Sequence, residues 1–319
     1  MEYALQAEPT HSVWDRDLPP RLVIRSGDTV HFACQDASGG QVSPGMSLES
    51  FLGIDTTRIH ALTGPVMIDG AMPGDVLEVR VRRTQHHGWG WSSILRNLGF
   101  LKDRFCEPYL FHWELEGDAS FSLAPARVPL RPFLGVMGVA RAEAGRFRTR
   151  PPGSFGGNLD VRELCAGARL YLPVQVPGAL FSCGDGHAAQ GDGEVCINGI
   201  ECPLDATLEF RLHKDQPLSG PMIETDFAEA GIAADGASGS AGEWVVVESG
   251  AEIASTARAA TSRMIDLLMS CWGLSDQHAY ILCSVAMKLR LSQVVNEPVF
   301  TVSAAIRKSV LPKREIFPA

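Results

Sequence analysis

Five polar side chains fall within ten residues of one another in the segment Cys183-Gly-Asp-Gly-His-Ala-Ala-Gln-Gly-Asp-Gly-Glu194: Asp185, His187, Gln190, Asp192 and Glu194. On an extended chain, residues two apart point to the same side, which pairs Asp185 with His187 and Asp192 with Glu194. Glycines 184, 186, 191 and 193 let the backbone turn sharply and approach a ligand closely. An imidazole with several carboxylates is a donor set for a hard-to-borderline divalent ion such as zinc or manganese. Such an ion can make bound water nucleophilic at neutral pH and polarise a bound carbonyl, and a spare carboxylate such as Glu194 can shuttle a proton to a leaving group. The competing reading is a glycine-rich turn whose carboxylates hold structural calcium or are simply solvated.

Further acidic and imidazole candidates are scattered. Asp36 follows an expected strand, His60 precedes Thr63-Gly-Pro-Val66, Asp160 closes Gly156-Gly-Asn-Leu-Asp160, and Glu224 follows Pro221-Met-Ile. Taken singly, each reads as a turn or surface residue. His86-His87 reads as a loop surface, because adjacent strand residues face opposite ways. Two nucleophile patterns are set aside. Gly236-Ala-Ser-Gly-Ser240 sits in a linker-like stretch without a matching lysine, and Cys271-Trp272 ends an amphipathic helix. No G-x-S-x-G, P-loop or dinucleotide fingerprint occurs.

The elements that must position these groups are mostly strands. Leu22–Ile24 and Thr29–Cys34 flank the turn Ser26-Gly-Asp28, and Pro73-Gly-Asp75 repeats that turn before the alternating strand Val76–Val81. A short helical piece is expected near Ser47–Leu52, and an irregular aromatic lid or an interface segment over residues 84–115. Leu170–Val176 is a strand whose proline implies an edge or bulge. Glu194–Cys202 reads as a hairpin around a type I′ Asn198-Gly199 turn, followed by the strand Ala206–Leu212. After a Gly-rich connector (228–242) come the strand Trp244–Val247, a helix with apolar Ile253, Ala257, Ala260, Met264, Leu267 and Cys271, a second helix capped at Ser275 or Asp276, and two last strands. The expected organisation is a β-rich catalytic body (1–225) and a C-terminal α/β part (226–319).

The chain has 319 residues, 45% of them hydrophobic, which is ample for a large core. A net charge of −9 argues against nucleic acid and against anionic membrane surfaces as partners. Eight cysteines without a C-x-x-C pair read as reduced thiols of a cytoplasmic protein. The N-terminal residues lack the pattern of a signal peptide, and no apolar run approaches membrane-spanning length.

Several long stretches resemble the acetamidase/formamidase family. They are Thr63-Gly-Pro-Val66, Asp69–Val79, Pro132–Gly138, Pro151–Asp160 and, most specifically, Leu172–Glu194. The likeness runs from about residue 10 to 317. It implies hydrolysis of acetamide, formamide or a similar small linear amide to carboxylate and ammonia. It implies a mainly β fold with jelly-roll-like sandwich and barrel-like regions plus a smaller α/β part. It also implies a homo-oligomer (dimer or higher) and use of a metal. Asp36, Asp160, Asp185 and His187 match acidic and imidazole positions in the family's motifs. This chain departs from many relatives in carrying Ala33-Cys34 just before Asp36, and in its His86–Trp91 stretch, which hints at an amide larger than formamide.

The resulting expectation is a composite site. Asp36, Asp160, Asp185 and His187 hold a divalent metal, zinc first, with calcium or manganese as alternatives. Glu194, Glu224 or Asp192 acts as general acid/base. His60, Gln190, Phe155 and Trp89 contact the amide. A different class, a non-catalytic β-rich ligand-binding or interaction protein on the same scaffold, is the alternative.

Overall fold

The computed structural model describes residues 1–226 and 242–317. The strands are β1 (Glu2–Leu5), β2 (Val13–Trp14), β3 (Leu22–Ile24), β4 (Thr29–Cys34), β5 (Leu62–Ile68), β6 (Val76–His86), β7 (Trp89–Ile94), β8 (Tyr109–Glu114), β9 (Ala119–Ser120) and β10 (Val128–Pro129). They continue with β11 (Phe133–Gly138), β12 (Phe147–Arg148), β13 (Gly156–Asn158), β14 (Ala168–Pro173), β15 (Phe181–His187), β16 (Leu204–His213), β17 (Met222–Thr225), β18 (Glu243–Gly250), β19 (Met287–Gln293) and β20 (Phe300–Arg307). The α-helices are α1 (Leu48–Leu52), α2 (Ile253–Trp272) and α3 (Asp276–Ala286).

Two open sheets pack face to face. The larger has nine strands in the order β1-β4-β16-β6-β14-β17-β18-β20-β19, and the smaller has five in the order β13-β11-β15-β5-β3. Neither is closed by a strand pairing among the described residues, so the expected barrel-like region is instead part of this two-sheet sandwich. Period-two burial explains the packing: Leu204, Ala206, Leu208 and Phe210 of β16 are buried, with Asp205, Thr207 and Glu209 between them. Across the gap, Phe181 of β15 meets Phe210 edge-on at 5.1 Å and Phe32 of β4 at 6.2 Å. These rings fix the strand that ends in Asp185 and His187.

The repeated Gly-Asp turns share one device. Asp28 accepts the Arg25 backbone N–H and Asp75 accepts that of Met72, both at 2.8 Å. Both turns hold glycine at positive φ, 93° for Gly27 and 98° for Gly74.

Helices α2 and α3 cover a second apolar cluster that includes Trp244, Val246, Val302, Ala304 and Ile306 of β18 and β20. The buried stripe of α2 is Thr256, Ala260, Met264 and Leu268. Ile253, Ala257, Leu267 and Cys271 of the expected stripe form its half-buried flanks. Gly273 ends α2 in the left-handed region, and Ser275 caps α3. The expected division at residue 225/226 falls between β17 and β18, which are paired neighbours in the nine-stranded sheet. Most of the Gly-rich connector, residues 228–241, with its Gly236–Ser240 tract, lies outside the described residues.

Three local expectations are corrected. The 84–115 stretch is not an irregular lid: it contains the end of β6 and an antiparallel β7–β8 hairpin. Pro173 is not at a sheet edge. It is the last residue of β14, which lies between β6 and β17. The Asn198-Gly199 hairpin does not form. Neither residue has the positive φ that a type I′ turn needs, and Glu201 pairs instead with Trp91 and His187.

Candidate metal centre and active site

Asp185 and His187 project from the end of β15 to the same side, with His187 Nε2 3.7 Å from Asp185 Oδ1. Phe133 of the adjacent β11 packs edge-on against the His187 ring at 5.1 Å. Asp160 arrives from the loop after β13, Glu194 from the turn after β15, and Glu201 from the segment leading into β16. Asp160, Asp185 and His187 offer donor atoms within 4.8 Å of one another, and so do His187, Glu194 and Glu201. All five residues are buried. His60 lies at the side, with Nε2 4.0 Å from Asp185 Oδ2.

The backbone is bent to make this gathering. Asp160, Asp185 and Glu194 all adopt left-handed φ, at 48°, 59° and 50°. Each such non-glycine residue costs on the order of 1–3 kcal/mol, and strain of this kind collects at functional sites. Gly135 on β11 supplies the space, since a Cβ there would lie 2.6 Å from Asp160 Oδ1 and 2.7 Å from Asp185 Oδ2.

Hydrogen bonds set the imidazole's tautomer. Gln190 Nε2 donates to the carbonyls of Asp160 (2.8 Å) and Ser292 (3.2 Å), which fixes the amide's orientation. Its Oε1 therefore accepts from His187 Nδ1 at 2.8 Å. In the neutral ring this leaves the Nε2 lone pair facing the carboxylates, 2.8 Å from Glu201 Oε1 and 3.9 Å from Glu194 Oε1. Asn296 Nδ2 donates to Asp160 Oδ2 at 2.6 Å, so the loop after β19 also supports the cluster.

Burial raises the Asp160 carboxyl to about 7, and the neighbouring Asp185 carboxylate adds to the rise. Burial likewise drives Glu201 up to about 8 against the pull of His187, and lifts Glu194 well above the usual range, with Asp160 adding to it. Asp185 behaves oppositely. Burial opposes its charge, but His60 and His187 hold its carboxyl well below the usual range. Burial would depress His187, yet Glu201 and Asp185 keep it well above an ordinary imidazole. For His60, burial wins and the value falls.

Four carboxylate oxygens (Asp160 Oδ1, Asp185 Oδ1, Glu194 Oε2 and Glu201 Oε2) are buried without a hydrogen-bond partner. Unpaired buried acceptors and crowded negative charge are costly. One divalent cation relieves both, and a mixed imidazole–carboxylate set suits it. The residues present therefore fit a metal.

Several expected site residues lie elsewhere. Asp36 is fully engaged, accepting from Trp91 Nε1 and Ser38 Oγ at 2.7 Å each and from the Gly40 backbone at 2.9 Å. Asp192 does not share a face with Glu194, because the chain turns between them. It pairs with Arg162 at 2.9 Å. Glu224 belongs to a separate ion-pair network with Arg169, Tyr171 and Lys308. Phe155 is core, edge-on to Trp14 at 5.2 Å. Trp89 packs against the small cluster around Phe51 and Trp91, so the aromatic stretch offers no support for a larger amide. Gln190 spends both ends of its amide on protein groups.

Sequence reasoning missed Glu201 and Asn296. Glu201 is flanked by Ile200 and Cys202, which are buried like itself, so no alternation marks it. Asn296 is an ordinary turn residue until the fold sets it on Asp160.

A putative formamidase of Schizosaccharomyces pombe is 30% identical over 274 residues, covering 66% of this chain and 67% of the relative. The formamidase of Methylophilus methylotrophus is 28% identical over 261 residues, with 64% of each chain covered. The chain thus spans about two thirds of the length of these curated relatives. Among solved structures, an acetamidase from Bacillus halodurans aligns with a TM-score of 0.86 and 31% identity, over 96% of this chain and 98% of that one. The sequence profile of the Acetamidase/Formamidase family matches residues 1–145 and 140–313, and this chain belongs to that family.

Proposed function

We propose that this chain, an amide hydrolase by its family, cleaves the C–N bond of a small linear amide at the cluster Asp160, Asp185, His187, Glu194 and Glu201, with a divalent metal held there. The observation that carries this is the set of four unpartnered, buried carboxylate oxygens around His187. Zinc is the first choice for such a site, with manganese or calcium as alternatives. When bound, the metal would polarise the amide carbonyl and make water acidic enough to attack at neutral pH.

The chain's own groups supply the rest. Asp185 stays ionised as a ligand, and Gln190 keeps the Nε2 lone pair of His187 directed inward. Burial raises the carboxyls of both Glu194 and Glu201, which favours their protonated forms. Either can pass a proton to the leaving nitrogen. Overall, a C–O bond forms from water, the C–N bond breaks, and carboxylate and ammonia result.

Metal analysis of purified protein, paired with ammonia release from formamide, acetamide and propionamide, tests the reading. Asp185→Asn is expected to lose both metal and activity. Full activity in metal-free protein would remove the metal. A metal-loaded protein inert toward the whole panel would favour a ligand-binding role on the same scaffold.

A homo-oligomer is also proposed. Supporting it is an exposed apolar face formed by Tyr280, Ile281 and Val285 of α3 beside the edge strand β19 with Leu289 and Leu291. Sedimentation equilibrium checks it, and a monomer at micromolar concentration would rule it out. All eight cysteines are free, which supports a reducing, cytoplasmic setting. No helix among the described residues is long and apolar enough to cross a membrane.

A further inference from the structure

The loop that carries Asp160 and the turn that carries Glu194 are tied both to β19 and to each other. Glu163, three residues beyond Asp160, accepts Arg290 Nη1 of β19 at 2.8 Å. Gly193, just before Glu194, donates its N–H to the Ser292 carbonyl at 3.2 Å and accepts the N–H of Val294 at 3.0 Å. The direct tie is an ion pair. Arg162 Nε lies 2.9 Å from Asp192 Oδ1. Arg162 stands two residues after Asp160, and Asp192 two residues before Glu194. No other side-chain pair printed between these two segments joins them so close to both acidic residues.

The site gives this pair something to hold. Asp160 and Glu194 each offer an oxygen within 4.8 Å of a donor atom of His187, and each has a buried oxygen without a hydrogen-bond partner. Both sit at left-handed φ, 48° and 50°. When ionised they repel each other, which pushes the two segments apart. The side chains of Arg162 and Asp192 are 35% and 45% exposed, so their pair adds little to overall stability. Its effect is local: attraction between the flanking residues opposes the spreading of the acidic ones. We propose that Arg162 and Asp192 are positioning residues whose ion pair holds the Asp160 loop and the Glu194 turn at the spacing that binds the metal. The inference rests on the metal reading of the cluster.

Arg162→Gln separates this role from plain electrostatics by sign. Removing a positive charge beside a cation site tightens cation binding if charge alone matters, and weakens it if the ion pair sets the spacing. Zinc affinity is read by competition with a chelator in the full-length parent, Arg162→Gln, Arg162→Lys, Asp192→Asn and the double variant Arg162→Gln/Asp192→Asn. The glutamine variant should bind zinc about three- to tenfold more weakly, and lysine should recover part of the loss. In the Asp192→Asn background the same change should weaken binding no further. Arg162→Met serves where the glutamine variant fails to fold. Before zinc is added, backbone amides of residues 191–196 should exchange hydrogen faster in the glutamine variant than in the parent. Unchanged or tighter zinc binding in Arg162→Gln, additive weakening in the double variant, or unchanged exchange would each overturn the proposal. The exchange measurement needs no metal, so failure of the metal reading and failure of the ion pair to hold the turn are distinguishable.

Discussion

The carboxamide oxygen of Gln190 lies 2.8 Å from His187 Nδ1, while its nitrogen is held by the carbonyls of Asp160 and Ser292. One side chain thus ties together the histidine's tautomer, the loop carrying Asp160 and the last residues of β19. The ring is thereby held with Nε2 turned toward the carboxylate cluster.

Replacing Gln190 with leucine removes this support while keeping the volume similar. Metal affinity should fall about 10- to 100-fold, the usual cost of losing the partner behind a ligating histidine. Gln190→Glu, which can still accept from Nδ1–H, should lose less. Competition with a chelator of known affinity measures both, and equal affinity in parent and leucine variant would mean that Gln190 does not orient the ligand.

Gly135→Ala should damage the site more than the fold. The added Cβ would press on both Asp160 and Asp185 at 2.6–2.7 Å. Neither carboxylate can swing away freely, since Asn296 holds one and His187 and His60 flank the other. We expect at least roughly a 100-fold loss of amide turnover with reduced metal content, at a stability cost of about 1–3 kcal/mol. Normal turnover in a folded variant would show that the two aspartates need not hold these positions.

Acid sensitivity should come partly from Glu78, remote from the site. Its buried carboxylate meets His213 Nε2 at 2.7 Å and pairs with Arg80. Burial opposes its charge, but His213 and Arg80 hold its carboxyl below the usual range. A depressed folded-state value means that the stabilisation is present above the unfolded glutamate value, about 4.3, and is lost as pH falls through the folded one. Glu78→Ala should cost on the order of 3–5 kcal/mol at neutral pH, because it removes a buried carboxylate that pairs with both His213 and Arg80. It should also flatten the acid limb of stability. Denaturant unfolding between pH 3 and 7 follows both, and an unchanged acid limb would assign the sensitivity to other carboxylates.

What the sequence determined by itself is local. The alternation in β6 and β16 specifies strands with a buried face, and the two Gly-Asp turns specify where strands begin. The two-residue spacing of Asp185 and His187 marks both for one side of an extended strand, while the bend at Asp185, with φ at 59°, belongs to the fold. The family motif around residues 172–194 marks the same region. The tertiary structure decided everything that depends on distance between segments. It recruits Glu201, Asn296 and His60, and it withdraws Asp36, Glu224, Phe155 and Trp89 by giving them other partners. It also overrides the Asn198-Gly199 turn. The local preference of that dipeptide is small beside the backbone pairings of Glu201 with Trp91 and His187, together with the bond from the Ser93 N–H to the Asn198 side chain. The cluster needs donors from one strand and three connecting segments to meet in a water-poor space, and only the packing of the two sheets sets that meeting point.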